Sequence, residues 1–330
     1  MDQAVHLAQA ADRYWAALVE PDADAAYAIV EDVIAAGTPV SDALTDIVAR
    51  SQRWIGEHWA SAEWTVSQEH SATAVSESVL RRVMAELPAS DDSLPAVLVT
   101  CAERESHSLP AMVVAASLRS WGWPAEYAGS PTSEALAARI AEVRPAAVLI
   151  SASLTSSLTR LARQIATLTQ ADIPVIVGGS AFDPAGDRAI RLGATAYAKS
   201  PADARTVLES LPGVVRQEPA SAEHEAYRLE RNADDLARDA VDRTLRTVGS
   251  PAGAFTPDHW SVVLATFTPH LVAAIAGGVL LADPTVPETA RSWLDQVLVR
   301  RRAPEGVTGV LWNELRASLR DYPTAWALIS

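Results

Sequence analysis

Two short runs, Val148-Leu-Ile150 and Val175-Ile-Val177, restrict this chain more than any other feature in it. A strand with one wet face alternates apolar and polar residues. A run that is apolar throughout belongs to a strand covered on both faces, and parallel sheets flanked by helices have such strands. Strands are expected at 95–100, 124–127, 146–151, 174–178 and 195–198. Between and after them, helices are expected near 110–121, 132–143, 155–169, 184–192 and 201–210. This alternation describes a doubly wound, Rossmann-like α/β domain with a parallel sheet, placed at 95–212.

Both flanks are expected to be helical. In residues 1–88, Val5, Leu7, Ala11, Tyr14, Trp15 and Leu18 give one helical stripe, broken by Pro21-Asp22. Tyr27, Val30, Val33 and Ile34 give a second, ended by Gly37 and Pro39. Ser41 is expected to cap a third helix through Leu44, Ile47, Val48 and Ile55. A fourth is expected from about Thr65 to Leu87, stopped by Pro88, which makes a small four-helix bundle. Residues 89–94 form a polar linker, and Pro212 to about Ala222 a second one. Residues 223–330 are expected to be all-helical, with helices at 223–248, 258–282, 287–301 and 307–320. Gly249-Ser-Pro-Ala-Gly253, Asp283-Pro284 and Ala303-Pro-Glu-Gly306 supply the breaks.

Charge and composition narrow the function. Asp plus Glu total 41 against 27 Lys plus Arg, a net charge of −14. Nucleic-acid binding needs a basic face, so no nucleic-acid partner is expected. Cys101 is the single cysteine, which excludes an intrachain disulfide and a cysteine-based zinc site. The start, Met-Asp-Gln, lacks the basic-then-apolar pattern of a secretion signal. The longest apolar run, Leu271–Ala282, is shorter than the ~20 residues that cross a bilayer. A cytoplasmic location without a membrane partner is expected.

The chemistry gathers at expected strand ends, where open α/β sheets bind ligands. Cys101-Ala-Glu-Arg-Glu105-Ser-His107-Ser-Leu-Pro110 follows the first strand. Glu105 can hold one ring nitrogen of His107 and leave the other for a metal, although such a pair is also common as an ordinary hydrogen bond. Ser151-Ala-Ser153-Leu-Thr155 and Gly178-Gly179-Ser180 follow two later strands. A ligand-free response-regulator-like domain would need clustered aspartates at these ends, and they are absent.

Order, spacing and strand placement of these features resemble the cobalamin-binding domain family, over about 95–212. That family carries Asp-x-His-x-x-Gly, then Ser-x-Leu, then Gly-Gly. The resemblance implies that His107 is the lower axial ligand of cobalt. It implies that the displaced nucleotide tail lies beside the sheet, with Ser151 bonding its base and Gly178 and Gly179 allowing close approach. Glu105 stands where the family has Asp, Pro110 where it has Gly, and Ser153 where it has Leu.

In the N-terminal bundle, Trp59 is followed after nine residues by Glu69-His70. This pattern resembles the helical cap of cobalamin-dependent photoreceptors. The resemblance implies that Trp59 covers the upper corrin face and that Glu69 and His70 contact the adenosyl group. Methyl-carrying corrinoid proteins have a similar bundle without this motif. In the C-terminal region, His259, Val263, Thr266, His270 and Ala274 are expected on one helix face. Eleven residues bring His270 within ~20° of His259. Pro269 is expected to kink that helix. Trp260, Phe267, Arg243, Arg246 and Arg300–Arg302 could line a pocket for a flat dicarboxylate pigment.

This domain order resembles the photocobilins, which add a globin-like bilin-binding domain. The resemblance implies noncovalent biliverdin near His259 and His270. Heme with a histidine ligand, or plain helical dimerisation or docking, are the alternatives. The expected protein is thus a non-enzymatic light sensor loaded with adenosylcobalamin. It would signal to an unidentified protein partner or through assembly of identical chains. The alternatives are a corrinoid methyl carrier of a methyltransferase system and a cobalamin-responsive regulator indifferent to light.

Overall fold

The structure is a computed structural model and describes residues 3–91, 93–214, 222–249 and 255–330. Part of the expected second linker and most of the Gly249–Gly253 break lie outside the described residues. The chain packs as two units. The first holds the chain up to Trp59, Trp64–Ser153, and Gln164 onward through the last helix after the sheet; the second holds Ala60–Glu63, Leu154–Arg163 and the C-terminal helices.

In the first unit, α1 (Gln3–Val19) and α2 (Ala23–Ala35) lead into α3 (Val40–Ala43), a π-helical turn (Leu44–Ala49) and α4 (Arg50–Ala60). The bundle closes with α5 (Val66–Glu86). Leu7, Tyr14, Leu18, Tyr27, Val30 and Val33 are buried, as their helical spacing requires, whereas Val5 is exposed. Asp22 caps α2 by accepting from the Asp24 and Ala25 amides. The expected Ser41 cap is not used. Pro39, extended at φ −56° and ψ 139°, stands at the N-cap, and Ser41 lies inside the helix. Thr65 and Gln68 form a full capping box at the start of α5. Replacing Thr65 with alanine is expected to cost ~1 kcal/mol, read as a lower thermal midpoint; an unchanged midpoint would mean that tertiary packing alone fixes this helix start.

The sheet contains β1 (Val97–Cys101), β2 (Ala125–Tyr127), β3 (Ala147–Ser151), β4 (Val175–Gly178) and β5 (Ala196–Tyr197). It is parallel throughout, in the order β2-β1-β3-β4-β5. The expected doubly wound class is therefore the observed one. Every residue of β1 and β3 is buried. The intervening helices are α6 (Leu109–Ser120), α7 (Ser133–Val143), α8 (Leu158–Gln170) and α9 (Asp187–Arg191), with α10 (Pro201–Glu209) after the last strand. Buried Leu109, Met112, Val113 and Ala116 of α6 join the same apolar cluster as the buried faces of α1, α2 and α5. Cap and sheet domain thus share a core through α6.

The second unit is helical apart from its loops. It contains α11 (Glu223–Arg231), α12 (Ala233–Val248), α13 (Trp260–Leu281), α14 (Thr285–Arg300), α15 (Val307–Ser318) and α16 (Pro323–Leu328). The helix expected at 223–248 is broken at Asn232, and α16 was not expected. The apolar run at Leu271–Ala282 falls in α13, close to the helix expected at 258–282, with Ala282 as its C-cap. At 22 residues, α13 is long and apolar enough to cross a membrane by length and composition, but 67% of its most apolar stretch is buried by its neighbours. A Cβ at Gly278 would sit 2.8 Å from Pro287 Cδ and 2.9 Å from Leu328 Cδ2, so α13 packs closely there. Helical assignment continues through Pro269.

Candidate cobalamin site

The chain leaves β1 for β2 on one side, then crosses back to β3 on the other. The switch point of the sheet therefore lies between the C-terminal ends of β1 and β3, where such folds bind ligands. Register places Cys101 beside Ser151 and Ser151 beside Gly178. The three motifs found in the sequence thus start from one row across three strands. The Ala102 amide donates to Ser151 O at 2.8 Å, and the Ala152 amide to Gly178 O at 2.9 Å, which carries the row into the loops.

The loop after β1 turns through Arg104 at φ +62°. It brings the Glu105 carboxylate inside, where its side chain is fully buried. Oε1 lies 2.6 Å from His107 Nδ1 and accepts the His107 amide at 3.1 Å. Oε2 accepts the Ser153 amide at 3.0 Å. With the carboxylate ionised, Nδ1 carries the proton and Nε2 keeps its lone pair. The His107 side chain stays 47% exposed, so the ring is reachable. Hydrogen bonding to Glu105 holds the His107 pKa above the ordinary histidine value; burial opposes this, and the charges of Glu105 and Glu69 add to it.

That shift fixes a pH dependence. The folded pKa is raised above the unfolded one, so the stabilisation is complete below about pH 6.5. It is lost as pH rises through the raised folded value. The urea midpoint of the cofactor-free protein should therefore fall over that window in wild type, and the fall should shrink in His107→Ala. Equal pH profiles for the two proteins would contradict the shift.

Cys101 is not a competing ligand. Burial pushes its thiol up to about 11, which leaves it protonated at neutral pH. Among the described residues, no group of three or more His, Cys, Asp or Glu could hold a metal ion. One imidazole suits a metal whose other positions are filled by a macrocycle.

The glycines are fixed by the backbone around them. A Cβ on Gly178 would lie 2.5 Å from Ala198 O, and one on Gly179, at φ +110°, 2.3 Å from Ala152 O. Ser180 Oγ donates to Ser153 O at 2.9 Å. Gly178, Gly179, Ser180, Ser151 and Ser153 are therefore neighbours on one sheet edge. Thr155 opens a short 3-10 turn, Thr155–Ser157, assigned to the second unit. Pro110 lies in the first turn of α6, where its missing N–H costs nothing.

In the cap, Trp59 is buried in the last turn of α4. Glu69 lies in the first turn of α5 and accepts from Thr73 Oγ1 at 3.1 Å, and its Oε2 is 3.4 Å from His70 Nε2. His70 itself is largely exposed. Glu69 is close enough to His107 for its charge to act there, so the cap motif and the histidine loop share one electrostatic environment. Glu77, also on α5, accepts from Ser108 Oγ and from Arg81 at 2.7 Å. Sequence reasoning passed over Glu77 and Ser108. The available signal was the spacing of Glu69, Thr73 and Glu77, four residues apart on one helix face. It also passed over an aromatic cluster in which Trp15 stacks on Trp64 at 4.9 Å and meets Trp54 edge-on at 5.8 Å.

Of the two C-terminal histidines, His259 stands elsewhere than expected, while His270 lies within the helix as expected. His259 is the N-cap of α13, not a residue of its face. Its Nδ1 accepts the Ser261 amide, and its ring stacks on Phe255 at 4.1 Å. His270 is within the helix, with Nδ1 3.1 Å from Ser156 Oγ. The stripe expected between them mixes buried Val263 and Ala274 with exposed Thr266 and His270. Arg243 is paired with Glu314 at 2.7 Å.

Residues 95–205 match a family model described as B12 binding domain, and residues 10–84 match a second model of the same description. No curated protein matches the chain. Among solved structures, the Methanosarcina barkeri monomethylamine corrinoid protein is similar at 20% identity and a TM-score of 0.52, covering 62% of this chain and 99% of that one. A cobalamin-binding protein of Desulfitobacterium hafniense DCB-2 is 18% identical, with a TM-score of 0.33 and coverage of 62% and 98%. The methanol:cobalamin methyltransferase complex of Methanosarcina barkeri is 17% identical, with a TM-score of 0.33 and coverage of 62% and 82%. The exposed, carboxylate-held imidazole and the glycine-walled sheet edge fit a corrinoid, for which they offer one nitrogen ligand and a close backbone approach. Residues 10–84 are thus a B12-binding helical cap and residues 95–205 a B12-binding Rossmann-like domain, and the cofactor is a cobalamin.

Proposed function

We propose that this protein holds cobalamin with His107 as the lower cobalt ligand and, loaded with adenosylcobalamin, works as a light sensor. The observation that carries the sensor reading is the cap. Trp59 closes α4 and Glu69-His70 open α5, with the Glu69 charge acting on His107. When bound, adenosylcobalamin supplies the light-sensitive cobalt–carbon bond. The chain's part is to orient His107 through Glu105, to accept the tail beside Ser151, Gly178 and Gly179, and to cover the opposite face with Trp59. Signal then passes to a partner protein or through self-assembly.

A second reading, a corrinoid methyl carrier, has a specific observation in its favour. The likeness covers 62% of this chain and nearly the whole length of the monomethylamine corrinoid protein. The comparisons lean to that reading; the Trp59 and Glu69-His70 spacing leans to the sensor. The two are separated by amide exchange of the cap in protein loaded with adenosylcobalamin in the dark, before and after green illumination, with the visible spectrum used to check that the cofactor has been photolysed. A sensor changes the exchange protection of the cap on illumination. A cap that exchanges identically in dark and light would overturn the sensor reading. Trp59→Ala should spare hydroxocobalamin binding and weaken the preference for adenosylcobalamin; unchanged preference would count against the cap role.

For the C-terminal helices, the finer proposal is noncovalent biliverdin beside α13, whose apolar length would suit a flat pigment. Added biliverdin should give a sharpened red band in the loaded protein. Heme binding in its place, or no band, would overturn this part alone.

A further inference from the structure

A serine at the N-cap of a helix ordinarily turns its hydroxyl back to accept an amide of the first turn. Ser108, the N-cap of α6, does not. Its backbone is helical, at φ −74° and ψ −34°, and its side chain makes no capping bond. Pro110 in the first turn offers no N–H, so one of the amides that such a cap would serve is missing. The Ser108 hydroxyl instead leaves its own helix and donates to Glu77 Oε1 on α5. The other oxygen of that carboxylate accepts from Arg81, one turn further along α5, at 2.7 Å.

Ser108 follows His107 directly, so the histidine loop is supported from two sides. From the sheet domain, Glu105 holds the ring, and Cys101 Sγ lies 3.7 Å from the His107 carbonyl oxygen. From the cap comes Glu77. Burial first, and then nearby charge that includes Glu77, raises the pKa of the Cys101 thiol and the Tyr127 phenol, which places Glu77 beside the end of β1. The same face of α5 is tied back to α4. Gln52 Nε2 donates to Thr73 Oγ1 at 3.0 Å, and Thr73 Oγ1 donates to Glu69 at 3.1 Å. Gln52 lies on the Trp59 face of α4, because seven residues bring a helix within ~20° of its starting direction. A row of residues four apart on α5, Glu69, Thr73 and Glu77, therefore runs from the helix of Trp59 to the loop of His107.

We infer that Glu77 is a positioning residue through which the cap sets the lower cobalt ligand: it tethers the Ser108 hydroxyl and so fixes the backbone at His107. This rests on His107 ligating cobalt, as proposed above. Glu105 fixes the tautomer and tilt of the ring. The loop that carries both residues, however, turns through Arg104 at φ +62° and through exposed Ser106. A ring aimed at one metal position needs its backbone held as well as its Nδ1. Glu77 supplies that hold from outside the sheet domain, one residue beyond the ligand.

The test uses the full chain with isotopically labelled histidine, loaded with hydroxocobalamin and reduced. Its electron paramagnetic resonance spectrum gives the ratio of cobalt held by a histidine to cobalt held by the cofactor's own base. Ser108→Ala and Glu77→Ala should each lower that ratio roughly ten-fold, the lower end of what a hydrogen bond to a charged group contributes. The double variant should lose no more than either single one, because both changes remove one contact. Glu77→Gln keeps an acceptor for the Ser108 hydroxyl and should bring the ratio back close to wild type. Ser108→Ala removes one oxygen from a half-buried place and leaves α5 unaltered, so it carries the test if Glu77→Ala fails to fold. Single variants with the wild-type ratio, losses that add in the double variant, or a Glu77→Gln protein as low as Glu77→Ala would each overturn the inference. A wild-type spectrum without histidine nitrogen would instead overturn the ligation reading beneath it.

Discussion

Replacing His107 with alanine is expected to weaken hydroxocobalamin binding by more than the ~10–100-fold that loss of a supporting hydrogen-bond partner costs a metal site. The expectation follows from the donor inventory. The loop between β1 and α6 offers one imidazole, held at Nδ1 by a buried carboxylate 2.6 Å away. The nearby thiol of Cys101 is kept protonated by burial. Alanine removes the nitrogen and leaves Oε1 of Glu105 without its 2.6 Å ring partner in a buried place. The measurement is a spectroscopic titration of the cofactor-free protein. Wild-type affinity in the variant would mean that the cobalamin is held by its tail and cap alone.

Gly179→Ala should produce the largest loss of stability of any single methyl addition on the sheet edge. Gly179 sits at φ +110°, where an L side chain is strained, and the new Cβ would lie 2.3 Å from the carbonyl oxygen of Ala152. That oxygen is backbone and already accepts the Ala181 amide at 3.1 Å, so it cannot swing aside. Strain and overlap together should cost roughly 3–5 kcal/mol. Gly56→Ala makes the contrast. Gly56 lies in α4 with nothing within 4 Å of the added atom, and this change should stabilise by about 0.5–1 kcal/mol. Urea unfolding followed by circular dichroism reads both. A Gly179→Ala protein as stable as wild type would show that the loop after β4 can open without cost, and would remove the backbone reason for the Gly-Gly pair.

Much of the sheet domain was legible because its strands are buried on both faces. Continuous apolar runs such as Val148–Ile150 leave few alternatives, and the observed strands fall within a residue or two of those expected. The Glu105–His107 contact was legible because it is local, two residues along the chain. The Ser153 arm of Glu105 was not, because it joins groups 48 residues apart and a backbone amide has no signature in sequence. Glu77 and Ser108 escaped for the same reason, being 31 residues apart. The glycines read in the sequence as room for the cofactor's tail; added Cβ positions 2.3 and 2.5 Å from backbone oxygens give a second, structural reason for them that has no signature in sequence. His259 was misplaced by periodicity. The eleven-residue spacing to His270 assumed one continuous helix, but the helix starts at Trp260, and His259 is its cap.

One measurement tests the central claim most directly. The full chain is produced with histidine carrying the heavy nitrogen isotope, loaded with hydroxocobalamin and reduced, and its electron paramagnetic resonance spectrum is compared with that of unlabelled protein. If His107 is the lower ligand, the nitrogen hyperfine pattern on the cobalt lines changes with the label and disappears in His107→Ala. A pattern indifferent to the label would show cobalt still held by the cofactor's own base, and would contradict the site described here.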